Sequence, residues 1–277
     1  GGAGQSPVTD IDDTAADAGG TLERLRASPL DGDAFSDLAV SMQGQGDPNG
    51  TLAMHRIAAR RDPRDLRVRA WLAEYWLATK DYPAALEQLD VILRLSPAAR
   101  RTLPPLLAQW ADDPDFARAL ANELAGNPVW RRATLSALRG GLDRPGAAAI
   151  HTALHDAGGL HRREWAAWLD ALMKAGHWDV AHDYWSADLG AHSPMGLLHN
   201  GGFVQPATGQ GFDWRIGARP GTYTEFEDTE GARGQAAHLV FSGRPVASAD
   251  LEQALALPPG SYRLSMRARA VALRSDQ

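Results

Sequence analysis

Residues 63–97 read PRDLRVRAWLAEYWLATKDYPAALEQLDVILRLSP, and this stretch decides the fold of most of the chain. Apolar residues recur at three and four on both sides of Asp81, as in Leu72 and Trp76 before it and Leu89 and Leu93 after it. That period predicts two helices joined by a turn at Asp81. Working outward, Pro29, Pro63 and Pro97 stand 34 residues apart, in Ala-Ser-Pro, Arg-Asp-Pro and Leu-Ser-Pro. Leu38-Ala39 matches Leu72-Ala73, and Leu106-Leu107 falls 34 further on. Asp47 matches Asp81, while Met42, Trp76 and Trp110 share one register position. The third unit is short, because Pro128 arrives 31 residues after Pro97. The period is then lost, although Trp165–Lys174 and Trp178–Trp185 still read as a helical hairpin.

A 34-residue helix–turn–helix period ending in Pro resembles the tetratricopeptide repeat. Leu38, Leu72 and Leu106 fit its first-helix Leu, and Ala85 and Ala119 fit the small residue of its second helix. The first unit departs from the pattern with Thr51 at the small position and His55 at the bulky one. The resemblance implies a solenoid of four to five helical pairs over 21–190. It also implies a concave face of first helices that holds a partner. By register that face carries Asp33, Ser36, Val40 and Gln43, then Arg67, Ala70, Glu74 and Leu77, then Arg101 and Ala108. Asp33, Gln43, Arg67, Glu74 and Arg101 are its polar candidates for a protein partner.

From about residue 199 the texture changes to short alternating runs between Gly and Pro. Tyr262, Leu264, Met266, Ala268 and Ala270 alternate with Arg263, Ser265, Arg267 and Arg269, the period of a half-buried strand. Strands are expected near 201–204, 211–216, 222–227, 236–242, 250–257 and 261–271. Asn200-Gly201-Gly202-Phe203 opens the series, Gln253 precedes an alternating run, and Pro259-Gly260-Ser261-Tyr262 leads into a run ending Arg269-Ala270. This order resembles the galactose-binding-like jelly rolls that include many carbohydrate-binding modules. The resemblance implies an antiparallel jelly-roll β-sandwich over 199–277. Six strands against the usual eight predict an incomplete sandwich with an open edge beside Phe203. The expected class is therefore multidomain, α then β: a loose tail over 1–20, a helical-hairpin solenoid over 21–190, and a jelly roll after it.

Composition excludes several chemistries. The 277 residues are 44% hydrophobic and 22% charged, so the chain is globular in character. A net charge of −6 argues against a nucleic-acid partner. The absence of Cys excludes disulfides, thiolate metal sites and a Cys nucleophile. Only Lys80 and Lys174 are lysines among 28 basic residues, which reads as codon bias of a GC-rich genome. No apolar run is long enough to span a membrane. Gly1-Gly2-Ala3-Gly4-Gln5 reads as an artificial start or the stub of a removed segment. Asp10, Asp12 and Asp13 lack the Gly and distal Glu of a calcium loop.

No catalytic motif occurs, neither a nucleophile elbow nor a phosphate loop. His151 and His155 are i, i+4 on an expected helix, yet no Glu lies in the place a zinc protease requires, so no metal is assigned. His177 and His182 fare no better. Glu225, Glu227, Asp228 and Glu230 read as a solvated hairpin turn rather than a paired-carboxylate or calcium site. Arg56, Arg60, Arg61, Arg64, Arg67 and Arg69 form the strongest basic stretch, a solvated helix face open to an acidic partner or anionic glycan. Trp214, Tyr223 and Phe226 are the candidate glycan platforms, although Phe212, Trp214 and Ile216 alternate as one buried face would. The remaining tryptophans lie at helical spacing and read as core.

These observations lead to an expected non-enzymatic interaction scaffold without cofactor. Proteins of the resembled two-part type point to an accessory role in bacterial exopolysaccharide synthesis or export, with glycan contact by the β-region. The alternative is a carbohydrate-binding protein whose helices are a spacer; an enzyme with a site at the domain junction is a third reading. The expected location is the periplasm, or a membrane reached through a segment outside this chain.

Overall fold

A computed structural model describes residues 19–189, 196–217, 220–228, 235–244, 246 and 251–272. It is mostly helical, with a small antiparallel strand region at the end. The helices are α1 (19–27), α2 (Gly32–Gly44), α3 (Pro48–Arg61), α4 (Leu66–Ala78), α5 (Tyr82–Leu95), α6 (Ala99–Trp110), α7 (Pro114–Ala125), α8 (Arg131–Arg139), α9 (Pro145–Asp156), α10 (Arg162–Lys174) and α11 (Trp178–Leu189). The strands are β1 (Arg215–Ile216), β2 (Thr222–Asp228), β3 (Gln235–Phe241) and β4 (Leu251–Glu252). The chain divides into two compact units, Gly1–Leu160 and His161–Gln277. The pair α10 and α11 thus falls with the strands, whereas the change in sequence texture comes later. Asp10, Asp12, Asp13, Ser193, Pro194 and Glu230 lie outside the described residues.

Aspartates cap the starts of α2, α3, α4, α5 and α7. Asp31, Asp47, Asp65, Asp81 and Asp113 are N-caps whose carboxylates accept first-turn amides, from Ala34 N (3.1 Å), Gly50 N (2.9 Å), Arg67 N (2.8 Å), Ala84 N (3.2 Å) and Asp115 N (2.9 Å). Each cap removes an orphaned donor and places negative charge at the positive helix end. Pro in the first turn of α3, α5, α7 and α9 needs no amide partner. The tight turns before α3 and α5 put Gly46 (φ 74°) and Lys80 (φ 61°) in the left-handed region at equivalent places.

The pair α2 and α3 packs as a hairpin, and so does α4 with α5. Their starts keep the 34-residue spacing, 32 to 66 and 48 to 82. Thr51 (1% exposed) and His55 (3%) do fill core positions on α3. Beyond α5 the packing changes: α6 lies chiefly on α8, and α7 on α9. The register changes with it. Leu106, expected to match Leu72, is exposed, and its neighbour Leu107 is buried instead. Pro104 and Pro105 inside α6 interrupt the helix ladder just before this shift. Gly146 lets α9 approach the end of α6, since a Cβ there would lie 2.4 Å from the Ala111 carbonyl carbon.

In the second unit α10 packs on α11, and Trp165, Trp168 and Trp185 are buried. Trp178 is exposed on the first turn of α11, against the expectation of a core residue. The strands form two two-stranded antiparallel sheets, β1 with β4 and β2 with β3. Among the described residues these two small sheets are what is present of the expected β-region, and no sandwich is seen in them. Of the six expected strands, 222–227 and 236–242 are present as β2 and β3, and among the described residues of 211–216 and 250–257 two residues each are strand, β1 and β4. Residues 201–204 turn instead of extending. The Asn200 side chain grips Gln205 from both sides, donating to its carbonyl (2.7 Å) and accepting its amide (3.1 Å). Phe203 takes a left-handed φ of 52°. Residues 261–270 pair with no strand among the described residues, where Leu264 and Met266 are 76% and 84% exposed. Alternation specifies which face a strand would bury, but a strand needs a partner ladder to hold it.

Candidate functional site

The first-helix candidates come from α2, α4 and α6. Asp33, Gln43, Arg67, Glu74 and Arg101 are all exposed. Ser36 and Ala108, placed on the same face by register, are buried and leave it. Two of the five, Asp33 and Arg67, are brought together across α2 and α4, and Gln43 bridges the same helices at a separate point through Trp71. Arg67 Nη2 lies 3.6 Å from Asp33 Oδ1 and 3.3 Å from Asp65 Oδ2. Gln43 Oε1 accepts from Trp71 Nε1 at 3.3 Å. Glu74 stands two turns from Arg67 on α4, and Arg101 opens α6. Neither has a hydrogen bond or ion pair to Asp33, Gln43 or Arg67 among the described residues. Its bond to Asp65 raises the pKa of Arg67 further, so this cation is permanent. Burial pushes the Asp65 carboxyl up, but the Arg67 amide and guanidinium and the Val68 amide together hold it below its ordinary value.

Behind this face lies a feature that the sequence marked only as a departure. His55 is buried, stacked on Trp71 at 4.0 Å between ring centroids, and neither ring nitrogen has a hydrogen-bond partner. Burial lowers its pKa from 6.5 to about 4. The folded state therefore resists the proton that the unfolded chain accepts below pH 6.5. Its contribution is fully present above that pH, is lost as pH falls from 6.5 toward 4, and changes little further below. The loss is on the order of 2–3 kcal/mol. His55→Leu should flatten the stability of the first unit between pH 7 and pH 4.5, read from urea midpoints; a slope unchanged from wild type contradicts it.

The glycan candidates separate. Trp214 and Phe226 both pack on Phe203, with ring centroids 5.0 and 5.4 Å away. Trp214 Nε1 also donates to the Asn200 carbonyl at 3.0 Å. Tyr223 is half exposed on the other face of β2. The alternation of Phe212, Trp214 and Ile216 does not bury one face. Phe212 is buried against His182 and Trp185, Trp214 is half-buried, and Ile216 is exposed. Gly211 makes room for this packing: its φ is +55°, and a Cβ would meet Trp185 Cδ1 at 2.3 Å.

Three members of the acidic run, Glu225, Glu227 and Asp228, lie on strand β2 rather than in a turn. Register places His238 opposite Glu225, and Glu227 Oε1 lies 2.8 Å from His238 Nδ1. The ligand atoms of this trio are within 4.8 Å of one another, but all three side chains are exposed, so solvation accounts for them and no metal is assigned. No sequence signal pointed to His238, because strand pairing alone brings it there. His151 is fully buried with Nδ1 2.8 Å from the Ala147 carbonyl, whereas His155 is half-buried, so the two do not form an open ligand pair. Among the described residues no helix is long and apolar enough to cross a membrane. No family model matches the chain, and no curated protein matches it.

Proposed function

We propose that the protein is a non-enzymatic interaction scaffold whose first helices bind a polar, mixed-charge segment of a partner protein. The observation that carries this reading is the exposed Asp33–Arg67 pair that bridges α2 and α4, with Arg67 also held by Asp65, while Gln43 is held separately on the same two helices by Trp71. Side chains already held in place lose less entropy on binding. The 34-residue recurrence of helix starts and Asp caps supports the likeness to tetratricopeptide repeats, which use this face for partners. The finer expectation of an accessory role in exopolysaccharide synthesis or export belongs with this proposal and rests on the resemblance of the two-part sequence. The reading as a glycan-binding protein with a helical spacer is left mainly to Tyr223, since Trp214 and Phe226 serve the packing around Phe203.

Reversing Arg67, Glu74 and Arg101 together (R67E, E74R, R101E) should leave the helical content unchanged, because exposed ion pairs contribute little to stability. The same variant should lose a partner that the wild type retains in pull-down from a bacterial envelope extract. Retention of every partner contradicts the proposal.

A further inference from the structure

A second surface of the first unit carries a site of different chemistry. The arginine stretch is exposed apart from half-buried Arg69, and it is divided between α3, the turn after it and α4. Arg56 and Arg60, one turn apart on α3, join Arg69 of α4 in lining a cavity of about 740 Å³. That volume is in the range of small-molecule sites, roughly 300–1,000 Å³. Trp76, Glu87 and Gln88 complete the polar and aromatic lining. Arg69 is locked in place: Nη1 donates to Gln88 Oε1 (2.7 Å), Nη2 to the Ala59 carbonyl (3.1 Å) and Nε to the Pro63 carbonyl (3.3 Å). These acceptors are neutral, so they position the guanidinium without neutralising its charge. Arg56 is held over the Trp76 ring, 5.3 Å from the centroid, an arrangement that fixes a guanidinium without neutralising it. Arg60 lies in the last turn of α3, where the negative helix end stabilises a cation. Among the described residues none of the three forms an ion pair. Glu87 is the one carboxylate in the lining, so the cavity keeps an excess of two positive charges in an acidic protein.

We infer that this cavity binds a small organic oxyanion, a carboxylate or phosphate borne on a hydroxyl-rich body. The planar guanidiniums of Arg56 and Arg60 each present paired donors to an oxyanion. Glu87 accepts a hydroxyl of the ligand body. The inference is independent of the partner-binding reading, which concerns other residues on α2, α4 and α6.

The test is isothermal titration of the whole chain with trigalacturonate as the carboxylate source, glucose 6-phosphate as the phosphate source, and maltotriose as a neutral control. Binding of either anion, weakened by salt, is expected, and which one binds identifies the source. In R56Q/R60Q the Kd should rise at least about tenfold, the loss of charge-assisted bonds. R61Q, on the same helix but outside the cavity lining, should bind as the wild type does. Circular dichroism checks that the double variant is folded; if it is not, R60Q alone is measured, with a smaller rise in Kd expected. Absence of binding by both anions, equal binding of maltotriose, or unchanged affinity in the folded arginine variant overturns the inference.

Discussion

Leu72→Asp is expected to unfold the first unit. Leu72 is 2% exposed and packs in one cluster with Ala58, Ala59 and Val68, with Phe35, Leu52, Trp71 and Trp76 around it. A carboxylate there would be desolvated without a partner and would also forfeit the apolar contacts of the leucine. The combined cost is several kcal/mol, comparable to the whole stability of a domain, about 5–15 kcal/mol. Far-UV circular dichroism should lose much of its helical signal, and the Tm should fall by well over about 10 °C. Leu72→Ala, which leaves a cavity but no charge, should cost about 2–5 kcal/mol and still fold. An aspartate variant that melts with the wild type would mean that α3, α4 and α5 do not pack as described.

Asp213→Ala should be the most damaging polar substitution in the second unit. Asp213 is 3% exposed, and its carboxylate accepts three bonds: Thr208 N at 2.6 Å, Thr208 Oγ1 at 2.7 Å and Trp214 N at 2.7 Å. His199 Nε2 stands 4.0 Å away. Alanine would remove the acceptor of two backbone amides and one hydroxyl, but Thr208 is exposed and Trp214 half-buried, so water replaces part of what is lost. A total of about 1–3 kcal/mol is expected, with faster amide exchange at Thr208 and Trp214. Asp213→Asn keeps an acceptor oxygen and should cost less. Equal stability of the alanine variant and the wild type would remove Asp213 as the organiser of this loop.

The two halves were legible to different degrees, for a physical reason. Helices are specified locally. The Asp-Pro and Asp-Tyr-Pro steps mark α3, α5 and α7 because the cap and its amides lie within three residues of each other. Strand pairing is non-local. Arg215 pairs with Glu252, and Glu225 meets His238, through registers that no local pattern encodes. The alternation of residues 262–270 is the clearest strand signal in the chain, yet it describes a face and not a partner. Gln253, read as part of a strand motif, instead donates its amide to the His199 and Phe212 carbonyls at 2.8 and 2.9 Å. Among the arginines, the sequence showed a basic run. The helical turn and the approach of α5 decide that Arg56, Arg60 and Arg69 share a cavity while Arg67 faces Asp33. The five polar candidates on the first helices are exposed, but only the contact between α2 and α4 reveals which of them act together.

Site-specific photo-crosslinking tests the scaffold reading most directly. A photoreactive residue is placed at Glu74 on the first-helix face, or at exposed Arg118 on α7 as control. Irradiation is carried out in bacterial envelopes that express the whole chain. The account predicts one discrete crosslinked species from position 74, none from position 118, and loss of the species when R67E and R101E are added. Equal products from both positions, or a product from position 74 that survives the charge reversal, would contradict it.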